Sequence, residues 1–456
     1  MTTIRLPTAA RPFTVLGIDP GVTESADAYR ATGGYAAATA PDELLAHLAA
    51  SGLRGRGGAG FPAAVKLRSV RDRGGAPVVV ANGEEGEPGS AKDRWLLRAR
   101  PHLVLDGLAR AAAVTGAVHG YVYLSDPAAG DSVRRALAEH PQALPVEVVE
   151  TARTYVAGEE TAVVRRIDGG PALPAAKPPR PYEKGVGGAP TLVANVETLA
   201  RIALTAARPD LRRSIAHNTL VTLSGGPAAE PVLTEVPYGV PLRSLAARHG
   251  VPDATGALMG GLFGGLVDAD ALDLPLEPGA LAAAGTALGC GAIRFLAPGD
   301  CPVAAAADAV GHLAAESAQQ CGVCVSGTAA VGNALYALAT GTAGPDTTDR
   351  LHRWSQTLPG RGACGLLDAA AGLGGSLLSA FPRLVRSHLA APCPVCAATR
   401  PGDGRHRLTV AVPEVAALSV PSSSFSPSPA PTPVPSRASM PAPPPSPAEP
   451  ELKGTP

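Results

Sequence analysis

The sequence predicts an α/β fold with a largely parallel sheet, followed by a small α+β domain and a C-terminal helical bundle. Three observations predict it. Between residues 77 and 149, short valine-rich runs alternate with segments of helical period, the pattern of strands joined by helical crossovers. From residue 219 the pattern becomes two strand-like runs and a helix, and from 304 to about 390 it is almost wholly helical. The length of 456 residues allows two or three domains plus a tail.

Residues 1–40 carry few strong signals and form an N-terminal segment. PDELLAHLAAS (41–51) has a helical apolar period that starts from a polar, proline-bearing first turn. PVVVA (77–81) reads as a buried strand, 92 to about 115 as helix interrupted at Pro101, GYVYL (120–124) as strand, 131–140 as helix and PVEVV (145–149) as strand. A long loop rich in Pro, Gly, Lys and Arg spans 168–190, and loops of that length inside a domain are usually functional. VANVETLA (193–200) starts a helix. TLVTLSG, VLTEVP and LRSLAARH (219–249) read as strand, strand and helix, and with the glycine-rich strands after them they predict a small β-grasp-like domain. The helical bundle contains a CxxC. The domains therefore divide as 41–215, 216–300 and 301–395, with a tail over 418–456. From Pro421 that tail has 13 prolines in 36 residues, mixed with Ser and Ala. It cannot bury a core and is expected to be a disordered spacer.

Lys plus Arg and Asp plus Glu both number 39, a balance that argues against a nucleic acid or an acidic membrane as partner. Aromatics are only 4%, so the core is built from Ala, Val and Leu. The N-terminus lacks a signal-peptide apolar region. The longest uncharged apolar stretch, taken as 254–267, is glycine-rich and too short to span a bilayer. A cytoplasmic protein without direct membrane insertion is expected. All seven cysteines lie in the C-terminal half. Two CxxC pairs in such a chain favour metal or redox chemistry over disulfides.

Two loops carry the strongest functional signal. Gly55, Gly57 and Gly60 satisfy G-x-G-x-x-G, although a helix rather than a strand precedes them, so alone they fit a helix-breaking turn. NGEEGEPG (82–89) follows a strand directly. Glycines let backbone N–H groups approach a phosphate, and acidic side chains accept bonds from sugar hydroxyls. The plain reading of Glu84, Glu85 and Glu87 is a solvated acidic turn. The two loops together point to a bound nucleotide.

Six segments in order carry a more specific signal: GLRGRGGAGFP (52–62) with Lys66, NGEEGEPG, KDR (92–94), YVAGEETA (155–162), KPPRP (177–181) and VANVETLA. Over about 28–390 this set resembles the family of NADH-binding flavoprotein subunits of respiratory complex I, which includes subunits of NAD-reducing hydrogenases and formate dehydrogenases. The resemblance implies a Rossmann-like FMN-binding domain, an SLBB-like β-grasp domain and an iron–sulfur region. It places FMN phosphate and ribityl contacts on Gly55, Arg56, Gly57, Lys66 and Asn82, with Lys66 and Arg56 offsetting phosphate charge. Glu84 stands where the family usually has Asp, beside Glu85. Tyr155, Gly158, Glu159, Glu160, Val193, Asn195 and Thr198 complete the implied flavin shell. For NAD(P)H it implies packing on Phe61, a ribose contact from Glu87 as the catalytic positioning group, and Lys177. Ser69 and Arg180 replace two aromatic rings of the family pattern. An arginine there stacks or reaches a phosphate, such as the 2′-phosphate of NADP.

The family's 4Fe–4S ligands fall on Cys321, Cys324 and Cys364, while Ala318 occupies the first ligand's place. Four cysteines are the norm, so several outcomes are open: a cluster with a non-cysteine fourth ligand, a 3Fe–4S cluster, another cysteine in its place, or an empty site. Cys393-Pro-Val-Cys396 reads as two ordinary thiols, half a zinc site, a redox pair or the missing ligand. Cys290, Cys301 and all ten histidines are read as structural. The implied activity is an FMN-dependent NAD(P)H dehydrogenase module that passes electrons to an iron–sulfur centre in this chain or in a ferredoxin or thioredoxin-like 2Fe–2S partner. The rival reading is a non-catalytic adaptor that keeps the fold and has lost the cluster.

Overall fold

A computed structural model describes residues 2–5, 14–17, 19–36, 39–226, 229–398 and 405–416. The proline-rich tail expected over 418–456 lies outside the described residues. After β1 (Thr3–Arg5) and α1 (Ala26–Ala31), helices α2 (Pro41–Ser51) and α3 (Ala63–Arg71) lead into β2 (Val78–Asn82). Then come α4 (Lys92–Ala99), α5 (Pro101–Thr115), β3 (His119–Leu124), α6 (Pro127–Glu139), β4 (Val146–Glu150), α7 (Glu160–Ile167), β5 (Thr191–Asn195), α8 (Val196–Ala207) and the short α9 (Arg212–Ala216). Strands β2 to β5 form one parallel sheet in the order β4-β3-β2-β5. The first four residues of β2 are buried, as a valine run covered on both faces requires.

The sheet order explains where a ligand can sit. The chain runs outward through β2, β3 and β4, then returns to the far side of β2 for β5. Such a switch point leaves a crevice beyond the carboxyl ends of the two strands. Here those ends are Asn82 and Asn195, which are register partners.

Pro101 separates α4 from α5, as expected. The reading of 193–200 as the start of a helix is corrected. Residues Thr191–Asn195 form β5, and Asn195 caps α8 by accepting the Glu197 N–H at 3.0 Å. A five-residue buried strand has too little length to show its period beside so strong a cap. Helix α6 begins at Pro127, earlier than the expected 131, because Asp126 accepts the Ala128 N–H at 3.1 Å and sets the N-terminus.

The next strands are β6 (Asn218–Ser224) and β7 (Val232–Pro237), followed by α10 (Leu242–His249), β8 (Gly256–Leu258), β9 (Leu266–Asp268), α11 (Pro278–Ala283) and β10 (Ala292–Leu296). They make a mixed sheet in the order β1-β7-β6-β10-β8-β9. β1 pairs in parallel with β7, so Thr3–Arg5 belong to this second sheet.

The remaining helices are α12 (Pro302–Ala315), α13 (Gly322–Thr340), α14 (Thr347–Thr357), α15 (Leu366–Ala380), α16 (Pro382–Ala390), α17 (Pro394–Ala398) and α18 (Arg405–Leu408). Val303, Val310, Val331, Leu335, Leu367 and Leu373 join α12, α13 and α15 in one apolar core. Helix α13 has 19 residues without a charge and is long and apolar enough to cross a membrane. It therefore outlasts the 254–267 stretch taken as longest, yet its Cys324–Val331–Leu335–Leu338 face is buried among its neighbours, as a core helix requires.

Candidate functional site

The glycine loop closes on itself before it meets anything else. The Gly55 N–H donates to the Phe61 carbonyl at 2.8 Å, and Arg54 Nη1 donates to the Gly60 carbonyl at 3.0 Å. Gly58 and Gly60 have φ of +112° and +59°, which other residues rarely adopt. The loop lies against the switch point: a Cβ on Gly57 would sit 3.3 Å from Asn195 Cβ. The Arg56 N–H donates to Thr198 Oγ1 at 2.9 Å, in the first turn of α8.

The Arg56 side chain departs from expectation. Its guanidinium bonds Tyr238 Oη at 2.6 Å and the carbonyls of Ala216 and Asn218 at 2.6 and 2.9 Å, and Nε lies 3.7 Å from Glu197. It is a buried strut to the second sheet, so the expected offset of phosphate charge does not come from Arg56. Lys66 on α3 remains available, 3.5 Å from Glu160, and burial pulls its pKa below the ordinary value. Lys177 Nζ holds Glu159 at 2.6 Å and Glu160 at 3.5 Å, while Arg180 reaches Glu160 at 3.9 Å. Glu159 itself caps α7 through the Thr161 N–H at 2.8 Å.

The acidic loop interleaves with residues 154–158. Gly86 passes so close to that segment that a Cβ would lie 2.4 Å from the Thr154 carbonyl oxygen. Asn82 Nδ2 donates to the Gly158 carbonyl at 2.9 Å and its Oδ1 accepts the Glu84 N–H at 3.2 Å. Asn195 Nδ2 donates to Asp93 at 2.8 Å. Val193 is buried in β5.

The three loop glutamates differ sharply. Glu85 accepts the N–H groups of Asp93 and Arg94 at 3.1 and 3.2 Å, Ser90 Oγ at 2.5 Å and Arg94 Nε at 3.0 Å. Burial alone would raise its pKa, but Arg94, Lys92 and Ser90 outweigh it and hold the carboxylate below the ordinary range. It is fully engaged in capping α4, which replaces its expected cofactor contact. Glu84 is buried, and neither carboxylate oxygen accepts a well-formed hydrogen bond. Burial pushes its pKa up to about 7, with Ser125 and Arg153 pulling the other way. Glu87 Oε2 accepts the Leu262 N–H at 3.1 Å and Tyr155 Oη at 3.3 Å, while Oε1 is buried without a partner. Burial raises Glu87 to about 7 as well. Unsatisfied buried acceptors are uncommon in folded proteins. Together with the glycine cradle, they suit a ligand rich in hydroxyls with a phosphate at one end. Phe61 projects into solvent, 51% exposed, beside this crevice-forming loop.

Tyr155 links this region to the cysteines. Its ring stacks on Phe263 with centroids 6.4 Å apart, and its N–H donates to Glu316 at 3.1 Å. Glu316 begins the loop that carries Ala318 and Cys321 and leads into the first turn of α13, where Cys324 lies. Those residues and Cys364 line one pocket with Ser317 and Pro174. Among the described residues no other cysteine lines it. Ser317 Oγ lies 3.8 Å from Cys324 Sγ. Three thiols on one pocket have the chemistry of iron–sulfur ligands, one short of the usual four, and Ala318 lines the same pocket.

Sequence reasoning missed two features. Lys92, Asp93 and Glu197 form buried pairs, with Lys92 Nζ 2.7 Å from Asp93 and 3.2 Å from Glu197; only the presence of KDR and VANVETLA among the six ordered segments hinted at it. Cys301 and His388, read as structural, lie with Cys393 and Cys396 in a second cluster. The spacing of His388 before the CxxC was its signal.

Comparison with known proteins accounts for both parts of this geometry. Residues 48–204 match the Nuo51 FMN-binding domain. Residues 304–388 match the NADH-ubiquinone oxidoreductase-F iron–sulfur binding region. The NADH-quinone oxidoreductase F subunit of Streptomyces coelicolor is 32% identical over 394 residues, covering 80% of this chain and 88% of that protein. An NADH-quinone oxidoreductase F subunit of Rhizobium meliloti is 31% identical over 376 residues, covering 75% and 89%. Among solved structures, an NAD+-reducing NiFe hydrogenase in the H2-reduced state superposes with a TM-score of 0.66 at 29% identity, over 78% of this chain. The chain spans 64% of that hydrogenase chain's length. These findings put the chain in the class of FMN flavoprotein oxidoreductases that carry an iron–sulfur region. Within that class it belongs to the family of NADH-quinone oxidoreductase F subunits, the NADH dehydrogenase flavoproteins.

Proposed function

We propose that this chain is an NAD(P)H dehydrogenase module that delivers electrons to an iron–sulfur centre, and that residues 41–215 hold the flavin, 216–300 form an SLBB-like β-grasp domain and 301–395 a helical bundle around the cluster. The observation that carries this reading is the meeting of the two motif loops at the carboxyl ends of β2 and β5, where the glycine loop packs on Asn195 and the buried Glu84 carboxylate, two residues past Asn82, accepts no well-formed hydrogen bond. FMN bound there supplies hydride acceptance and one-electron release.

The chain's own residues provide binding, orientation and dryness. The N–H groups around Gly55 and Gly57, with the charge of Lys66, take the phosphate. Asn82 and Glu84 would meet the ribityl hydroxyls, and Asn195 would help complete the flavin shell. Gly158, Glu159, Glu160, Val193 and Thr198 shape the remaining wall. Phe61 packs on the nicotinamide cofactor, Glu87 holds its ribose through Oε1, and Lys177 with Arg180 faces its phosphates. Tyr155 bridges Glu87 to Glu316, at the start of the loop that leads to Cys321, so it would tie the nicotinamide side of the site to the three-thiol pocket. The electron acceptor is a ferredoxin or a thioredoxin-like 2Fe–2S protein in the cytoplasm.

The replacement of a cluster ligand by Ala318 favours a second reading, a non-catalytic adaptor. One experiment separates the two. The protein is purified without oxygen, its visible spectrum recorded, and NADH or NADPH added. A flavin band that bleaches is the expected result. A colourless protein that free FMN cannot reconstitute overturns the dehydrogenase and leaves the adaptor.

A further inference from the structure

Cys301, His388, Cys393 and Cys396 come from three separate elements. Cys301 is the N-cap residue of α12, His388 lies in the last turn of α16, and Cys393 and Cys396 flank the start of α17. Cys301 Sγ lies 3.5 Å from Cys396 Sγ and 3.5 Å from His388 Nε2, and Cys396 Sγ lies 3.6 Å from His388 Nε2. Cys393 Sγ accepts the Cys396 N–H at 3.5 Å. All four donor atoms fall within 4.8 Å of one another, the only such group of Cys, His, Asp or Glu among the described residues.

The separations among Cys301, Cys396 and His388 match the edges of a tetrahedral metal site. With Zn–S near 2.3 Å and Zn–N near 2.0 Å, the edges of a tetrahedral site are about 3.7 Å between sulfurs and about 3.5 Å between sulfur and nitrogen. The His388 tautomer is also fixed. Nδ1 donates to the Leu384 carbonyl at 2.8 Å, which leaves the Nε2 lone pair directed at the sulfurs. That outer hydrogen bond is the usual support of a metal-bound imidazole. Cys301, His388 and Cys396 are buried and Cys393 is half-buried, so solvent reaches the site at most past Cys393. Three thiolates and a neutral imidazole around a dication leave one negative charge, and the N-terminus of the 14-residue α12 beside Cys301 stabilises it.

We propose that these four side chains bind a single Zn2+ in a closed Cys3His site, distinct from the three-thiol pocket, and that the ion fastens the segment after α16 to the start of α12. A disulfide between Cys301 and Cys396 is a poorer account, since it would leave Cys393 and the oriented His388 without a role. A 4Fe–4S cluster is poorer still, because its irons hold the thiolates farther apart than a single ion does. Soft thiolates with imidazole in tetrahedral array select zinc.

The test uses the full chain, purified anaerobically from cells supplied with iron and zinc, with both metals counted per chain by mass spectrometry. One zinc ion per chain is expected in the parent. Cys301→Ser and Cys396→Ala lose it and keep the parent's iron content, while Cys321→Ser keeps zinc. Alkylation of the parent adds a measurement independent of any variant's folding: Cys301, Cys393 and Cys396 resist iodoacetamide until a chelator removes the zinc. A parent that takes up no zinc after reduction and incubation with Zn2+ overturns the proposal. So does a Cys301–Cys396 disulfide in the anaerobic protein, or loss of iron rather than zinc in Cys301→Ser.

Discussion

At the scale of the residue, Glu84 is the position where function and stability pull apart. Its carboxyl stands at about 7 in the fold against an ordinary 4.5, chiefly through burial. Between those values the folded flavin-free chain holds a proton that the unfolded chain has released, so stability is full at the acid end and falls as pH rises through 7, by at most about 1.4 kcal/mol per unit. Glu87, also raised to about 7, adds a slope of the same sign. Glu84→Gln therefore flattens the dependence of the thermal midpoint on pH in flavin-free protein and leaves the share of Glu87. An unchanged slope would mean that Glu84 is solvated. FMN retention falls in the same variant, since an amide accepts hydroxyl bonds less strongly than a carboxylate. Ala318 gives a second residue-scale prediction. Its place on the pocket of Cys321, Cys324 and Cys364 means that Ala318→Cys restores a fourth thiolate. Iron per chain rises, and any three-iron signal in the parent's electron paramagnetic resonance spectrum gives way to that of a four-iron cluster on reduction.

At the scale of elements, close helix packing sets the position of the crevice. α5 and α8 approach so closely at Gly107 that a Cβ there would lie 2.0 Å from the Leu199 carbonyl oxygen. Gly107→Ala forces the two backbones apart and costs about 1–3 kcal/mol, as overpacking typically does. Gly372 is the control. It lies inside α15, and a methyl added there would meet nothing within 4 Å, so Gly372→Ala stabilises by up to about 1 kcal/mol through helix propensity. Urea unfolding of both variants reads the difference. Elements also show what was legible in the sequence. The break between α4 and α5 was legible because Pro101 cannot continue a helix. β5 was not, because five residues ending in a helix cap look like part of that helix. Gly57, Asn82 and Asn195 stood out in the chain as motif positions, and the fold sets Asn82 and Asn195 as register partners with Gly57 packed against Asn195. Side-chain direction was not legible, since it depends on contacts far away in sequence: Arg56 turns to Tyr238, Glu85 folds back on α4, and Cys301 meets Cys396 across 95 positions.

At the scale of the whole molecule, one buried ionic network joins the flavin layer to the second sheet. Glu197 accepts Arg201 Nε at 3.0 Å and the Leu220 N–H of β6 at 3.0 Å, and lies 3.2 Å from Lys92 and 3.7 Å from Arg56. Arg201 passes on to Glu235 of β7 at 3.2 Å, whose other oxygen accepts the Val15 N–H at 2.9 Å. The glycine loop is thus held through Arg56 to the same carboxylate that anchors the second sheet. Burial alone would raise the Glu197 pKa, but Lys92, Arg201 and Arg56 outweigh it and bring it down to about 2. The sign is opposite to that of Glu84. The contribution of Glu197 is present above 4.5 and is lost as pH falls from there toward 2. Glu197→Gln removes the anion from among three buried cations, and breaking such a network from one side costs about 3–5 kcal/mol. The expected outcome is a large fall in the denaturation midpoint at neutral pH, a weaker dependence on acid than in the parent, and reduced FMN retention because Arg56 and Thr198 lose their common support. A variant that unfolds less cooperatively, with the flavin lost before the second sheet melts, would locate the coupling between the two layers in this carboxylate. A variant with the parent's midpoint and flavin content would show that apolar packing alone holds them together.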